Sequence, residues 1–235
     1  MDFQQFDDNY KRITEEIARA AEKSGRKPEE ITLLGATKKV PVELMNHAIQ
    51  RGLRCIGENR VQEFLDKYDS LHLDQVDCHF IGRLQTNKIK YIIDKVSLIQ
   101  SVDSMKLLTE IAKSAIKRNL VMDILIEVNI GNEPSKGGIM PLEIYDFIEE
   151  ARTVKGIRIC GLMTIPPVLD SQTEQAKFFD RMREYYVDIT AKKLDNVCMN
   201  YLSMGMSDDF ALAIERGANM VRIGSALFGN RTYAP

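Results

Sequence analysis

Three groups of residues in this 235-residue chain have the types and spacing to do chemistry. The first is Lys38, which follows directly on the apolar run Ile31 to Thr37. A lysine at the end of a buried strand is partly desolvated, which lowers its pKa and makes the amine a nucleophile toward aldehydes. Lys39 is a rival, but alternation along a strand sends the two side chains apart, and its like charge would depress Lys38 further. A solvated rim lysine is the plainer alternative.

The second group is Met204-Gly205-Met206-Ser207-Asp208-Asp209, which reads as a strand end, a glycine turn and a helix N-terminus with Ser207 as N-cap. Exposed amides and the helix dipole at such a point bind phosphate. Gly224-Ser225-Ala226 offers a second cradle. Capping alone would also account for Ser207. The third is Arg222, two residues before that cradle and inside an apolar run. A buried arginine must face a carboxylate or a ligand, here either a cofactor ring nitrogen or an internal ion pair with Glu58 or Glu127. Cys55, Cys78, Cys160 and Cys198 are scattered through apolar runs, with no C-x-x-C pair and three histidines in all. They read as reduced, buried thiols and leave no metal site.

The elements that must position these groups alternate between two periodicities. Buried strands are expected over Ile31 to Thr37, Arg54 to Gly57, Cys78 to Gly82, Ser97 to Ser101, Ile124 to Asn129, Ile157 to Met163, Val197 to Ser203 and Met220 to Ile223. Helical spacing fills Pro41 to Gly52, Arg60 to Leu71, Asn87 to Asp94, Ser104 to Asn119, Pro141 to Val154, Ser171 to Leu194 and Ser207 to Gly217. An extra amphipathic helix, Phe3 to Ser24, precedes the first strand and is expected to cap the lower end. Eight strands separated by helices predict a single (β/α)₈ TIM barrel over residues 1–235, of the α/β class. An open Rossmann sheet would need G-x-G-x-x-G after its first strand, where this chain has Gly-Ala-Thr-Lys-Lys. In a barrel the site lies at the C-terminal strand ends, where Lys38, Asn59, Ser207 and Gly224 all fall.

A formal net charge of -2 provides no basic field for a nucleic-acid backbone, so no nucleic-acid partner is expected. The acidic first ten residues lack a signal-peptide core, and no apolar stretch reaches the roughly 18 residues of a membrane span. The expected location is the cytoplasm.

Further motifs carry a resemblance. Ala36-Thr37-Lys38, Gly57-Glu58-Asn59-Arg60-Val61-Gln62-Glu63, His79-Phe80-Ile81-Gly82-Arg83-Leu84-Gln85-Thr86-Asn87-Lys88, Gly161-Leu162-Met163, Leu202 to Asp209 and Val221-Arg222-Ile223-Gly224 span nearly the whole chain. Together they resemble the pyridoxal phosphate homeostasis proteins, a family similar to the N-terminal barrel of alanine racemase. The resemblance implies pyridoxal 5'-phosphate as cofactor, held as a Schiff base on Lys38. It also implies Asn59 against the cofactor ring, Ser207, Gly224 and Ser225 holding the phosphate, Arg222 facing the pyridine nitrogen, and Met204 as a further cofactor-binding residue. The loop Glu133-Pro134-Ser135-Lys136 also resembles a family loop that brings Lys136 toward the mouth. His79, inside a strand, reads as a packed and hydrogen-bonded histidine. Lys39-Val40 departs from the family pattern, in which a second lysine often stands two residues after the first.

Arginine at the ring nitrogen leaves it unprotonated and the electron sink weak, which suits racemisation or storage better than transamination. A racemase needs a second acid/base on the opposite face; in the racemases it resembles this is a tyrosine from a separate β domain. The chain ends soon after its eighth strand, so the expectation is a non-catalytic cofactor reservoir or carrier, with recipient pyridoxal-phosphate apoenzymes as partners and a monomeric or weakly dimeric state. Alternatives are a barrel racemase, a cofactor-free lysine aldolase and a regulatory protein that senses the cofactor.

Overall fold

The computed structural model describes all residues except Pro134, Ser135, Val168, Asp170 and 230–235. Eight strands close into a barrel in sequence order: β1 (Thr32–Ala36), β2 (Cys55–Glu58), β3 (Asp77–Phe80), β4 (Leu98–Val102), β5 (Met122–Glu127), β6 (Ile157–Met163), β7 (Val197–Ser203) and β8 (Met220–Ile223). All neighbours are parallel, and β1 against β8 completes the ring, with Leu34 opposite Arg222. Each strand falls on one of the eight expected runs, because both faces of a parallel barrel strand are covered and the sequence must be apolar throughout.

The helices are α1 (Phe3–Lys23), α2 (Val42–Gln50), α3 (Val61–Tyr68), α4 (Ile89–Ile92), α5 (Met105–Lys117), α6 (Ile144–Ala151), α7 (Gln172–Lys192), α8 (Phe210–Glu215) and α9 (Ser225–Phe228). Local side chains start several of them: Asp2, Ser104 and Ser171 accept the amides of Gln5, Leu107 and Glu174. The spacing predicts one helix over Asn87 to Asp94, but this segment divides into a 3-10 turn (Thr86–Lys88) and the single turn of α4. Neither α9 nor the 3-10 turn at Pro28–Glu30 was signalled by periodicity, since one turn is too short to display it.

The N-terminal helix does not cap the lower end as expected. It packs beside α8, α2 and α9, with Phe6 stacked on Phe228 near the top of β8 and Lys23 paired to Glu215 toward the bottom. Because α9 after β8 is a single turn, α1 fills the outer position that a full eighth helix would occupy. Its buried stripe is Phe6, Ile13, Ile17, Ala20 and Ala21, where full burial of each large side chain contributes about 1.5–3 kcal/mol.

Alternation divides the core in two. Leu34, Ala36, Cys55, Ile81 and Met220 form one cluster within the barrel, and Leu98, Leu125, Cys160 and Met163 another; both rest on Tyr201. A larger cluster, from Ile56 and Phe80 to Val221 and Ile223, fills the space between sheet and helices. Cys55, Cys78 and Cys160 are buried free thiols as expected, whereas Cys198 is half-buried. It lies in the first half of β7, where the strand's burial is only partial.

Candidate functional site

The inward parity of Leu34 and Ala36, continued past the end of β1, belongs to Lys38; that of Cys55 and Gly57 belongs to Asn59, and that of Met220 to Arg222. Strands β7, β8, β1 and β2 are contiguous in the ring, so the candidate residues share one arc of the mouth.

The turn that carries Lys38 is clamped from outside. Thr37 donates its hydroxyl to Glu58 Oε1 at 2.8 Å, Lys67 of α3 donates to the Thr37 carbonyl at 3.2 Å, and the Lys39 amide donates to Glu63 Oε1. Lys67 also pairs with Glu63 at 2.6 Å and with Glu58 at 3.5 Å. Lys39 takes a left-handed φ of 58°, which turns the chain between Lys38 and Val40. Backbone fixation thus comes from α3, and the Lys38 side chain is exposed rather than partly desolvated. Glu58 is committed to Thr37 and Lys67, which removes it as the partner of Arg222. Burial raises its carboxyl pKa, and Lys67 opposes the rise.

Arg222 is buried without an ion pair to any carboxylate among the described residues. Its Nη1 donates to Ser203 Oγ at 2.6 Å and its Nη2 to the Thr164 carbonyl at 2.9 Å. The chain of bonds continues across the barrel: Ser203 Oγ donates to Gln100 Oε1 at 2.7 Å, and Gln100 Nε2 donates to His79 Nδ1 at 2.9 Å. Each donor fixes the next acceptor, so His79 carries its proton on Nε2. Burial lowers the His79 pKa to about 4, which keeps the ring neutral as this bond requires. Burial also lowers Arg222 to about 10, with Glu127 and Asp209 opposing, so the guanidinium remains charged near neutral pH. Glu127 at the end of β5 is pushed by burial, and secondarily by Asp103, up to about 7.

Ser207 is not a helix N-cap; α8 starts three residues later, behind Asp209. The Ser207 hydroxyl instead accepts the amides of Gly224 at 3.3 Å and Ala226 at 3.2 Å, which ties the loop after β7 to the loop after β8. Two main-chain donors therefore converge on one oxygen, an arrangement suited to an anion's oxygen. Asp209 closes the same loop by accepting the Met206 amide at 2.6 Å and Gln175 Nε2 at 3.2 Å. Gly205 has φ 93° and lies against Phe210 and Ala213, a turn that a side chain would strain.

Asn59 is half-buried, and its Oδ1 is enclosed with no hydrogen-bond partner among the described residues. Ser225 is exposed and Gly224 half-buried at the mouth. Met204 is fully buried in the cluster between sheet and helices, so its side chain faces away from the mouth. Lys136 pairs with Glu133 at 2.5 Å, while Pro134 and Ser135 of that loop lie outside the described residues. Sequence reasoning places Thr164 and Ser203 at strand ends without a role and passes over Gln100. Gln100 was detectable as a lone amide within an apolar strand. The Thr164 contribution is a main-chain carbonyl, which no residue type announces.

A family model described as "Alanine racemase, N-terminal domain" matches residues 5–232. The chain is 46% identical over 222 residues to the pyridoxal phosphate homeostasis protein of Aquifex aeolicus, covering 94% of this chain and 96% of that one. PipY of Synechococcus elongatus, solved with pyridoxal phosphate bound, superposes with a TM-score of 0.79 at 28% identity, over 91% of this chain and 100% of that one. Alanine racemase of Clostridium difficile superposes with a TM-score of 0.69 at 16% identity, over 87% of this chain and 56% of the racemase, a likeness of fold. Barrel and relatives agree, and the chain belongs to the pyridoxal phosphate homeostasis protein family.

Proposed function

We propose that this protein binds pyridoxal 5'-phosphate at the barrel mouth and acts in the cytoplasm as a reservoir or carrier of it, handing it to apoenzymes that use it. The observation that carries the reading is Arg222: a charged, buried guanidinium held by a hydroxyl and a carbonyl, with no carboxylate bonded to it among the described residues. The rest of the mouth fits the same group. Asn59 Oδ1 is an enclosed acceptor without a donor, and the Ser207 hydroxyl gathers two amides where a phosphate oxygen needs them.

Bound pyridoxal phosphate supplies an aldehyde that an amine can capture and a ring that draws electrons from the attached carbon. Lys38 provides the amine, on a backbone fixed by Glu58, Glu63 and Lys67. Arg222 can only donate, so beside the ring nitrogen it would leave that atom without a proton and weaken the electron sink. Ser207, with the Gly224 and Ala226 amides and the Ser225 hydroxyl, holds the phosphate. Exposure of Lys38 favours exchange with other amines over water-free chemistry, and the relatives' name is one of homeostasis.

Peptide mapping after incubation with pyridoxal phosphate and borohydride tests the reading. A phosphopyridoxyl group on Lys38, lost in Lys38→Ala, supports it; an unmodified Lys38 overturns it. Delivery to a recipient apoenzyme, followed by recovered activity, tests the carrier role. A racemase reading draws on Glu127, whose pKa of about 7 suits an acid/base at the mouth. Exchange of an amino acid's α-proton in heavy water, abolished by Glu127→Gln, would favour it.

A further inference from the structure

The Arg83 to Lys88 segment that follows β3 takes no part in the cofactor mouth described above. It wraps a cavity of about 730 Å³ that opens between the loops after β2, β3 and β4. That volume lies within the roughly 300–1,000 Å³ typical of small-molecule sites.

Four cations line the cavity, Arg60, Arg83, Lys88 and Lys106, against one carboxylate, Asp103. Arg60, Arg83 and Lys106 are exposed and form no ion pair among the described residues. Unpaired cations on a concave wall concentrate the field for an anion. The backbone adds to it. Helices α3 and α5, of 8 and 13 residues, both begin at this cavity, so their dipoles present positive charge to it, although Ser104 already takes the Leu107 amide of α5. The first turn of α5 has no acidic residue and contains Lys106, although a first turn ordinarily favours Asp or Glu; the α3 N-terminus has no side-chain cap. Asn59 also lines this cavity, so the cavity adjoins the mouth.

We infer that this cavity is an anion subsite beside the mouth, taking a small molecule that carries at least two phosphate or carboxylate groups. Two anionic groups suit it because the four cations come from three separate segments: Arg83 and Lys88 after β3, Arg60 just before α3 and Lys106 in the first turn of α5. The concave shape selects a compact molecule over a flat protein face. Its link to the mouth runs through Asn59 and through Arg83, which acts with Arg222 on Glu127. That link rests on the cofactor reading above; the subsite itself does not.

Calorimetric titration of inorganic pyrophosphate, and separately of citrate, into protein first loaded with pyridoxal phosphate and reduced by borohydride tests the inference. The phosphate cradle is then filled, so binding reports the cavity alone. The expected result is one saturable site, weakened by added salt, with Arg83→Ala and Lys106→Ala each raising the Kd about tenfold. Both side chains are exposed, so neither variant should unfold the barrel. Binding by pyrophosphate only, or by citrate only, would support the subsite and fix the anionic group it takes. A flat titration with both anions, or binding indifferent to both variants, would overturn it. If Lys38 takes no cofactor, the titration is repeated on Ser207→Ala protein. Binding there that still depends on Arg83 leaves the subsite standing while the cofactor reading falls; a flat titration of loaded protein does the reverse.

Discussion

Arg222 and Ser203 share a hydrogen bond of 2.6 Å inside the barrel, and the same hydroxyl donates a hydrogen bond to Gln100 Oε1. The hydroxyl therefore sets the direction of every bond from the guanidinium to His79. Replacement of Ser203 by alanine leaves a buried N–H and a buried amide oxygen unpaired, at a cost of about 1–3 kcal/mol. Ser203→Ala should lower stability by that amount in denaturant titration and shift the absorption maximum of protein-bound pyridoxal phosphate. Ser203→Thr, which keeps the hydroxyl, should restore the spectrum; an unmoved spectrum in Ser203→Ala would show that Arg222 needs no such positioning.

His79 makes the network sensitive to acid. Its folded pKa is lowered to about 4 from an ordinary 6.5, by burial. Between those values the unfolded chain binds a proton that the native ring refuses. The contribution is therefore complete above about 6.5 and is lost as pH falls toward 4, on the order of 3 kcal/mol in all. Denaturant titrations of native protein and His79→Gln should give stability curves that converge on acidification through this window. Parallel curves would mean that His79 titrates normally in the native barrel.

Ser207 offers a test of binding against stability. Its hydroxyl receives two amides at the joint between the loops after β7 and β8, on the half-buried rim of the barrel. Ser207→Ala removes the acceptor while leaving both amides within reach of water, so stability should fall by no more than about 1 kcal/mol. Affinity for pyridoxal phosphate, measured by equilibrium dialysis, should fall about tenfold, as expected for one bond to a charged group. Unchanged affinity would remove Ser207 from the phosphate site.

The barrel was legible in the chain because a parallel strand buried on both faces must be apolar along its length, and eight such runs recur. As candidates, Lys38, Ser207 and Gly224 stand out because polar residues and glycines mark where those runs end, and Arg222 because it is a charge within one. What was not legible depends on contacts between distant segments. Ser207 fits an N-cap by local pattern, yet its partners are amides 17 and 19 residues away. Lys38 reads as desolvated from the strand before it, yet the covering elements leave its side chain exposed. The place of α1 followed from the brevity of α9, which periodicity does not register.

Gly82 marks where the two sides of the mouth touch. A β-carbon placed on it would stand 2.2 Å from the Asn59 carbonyl oxygen and 2.7 Å from its Cα, distances no real side chain tolerates. The loop after β2 can therefore lie flat on the end of β3 only because position 82 has no side chain, and this contact sets where Asn59 stands. The overlap is with backbone, so Gly82→Ala must move the Asn59 segment instead of rotating a side chain. The displaced segment begins α3, whose Glu63 and Lys67 hold the Lys38 turn. Gly82→Ala should therefore slow phosphopyridoxyl labelling of Lys38 and weaken cofactor binding by about tenfold or more, if the shift costs the 1–3 kcal/mol usual for overpacking. Labelling kinetics under borohydride measure this directly. Native labelling and affinity in Gly82→Ala would mean that neither Asn59 nor the Lys38 turn depends on that contact.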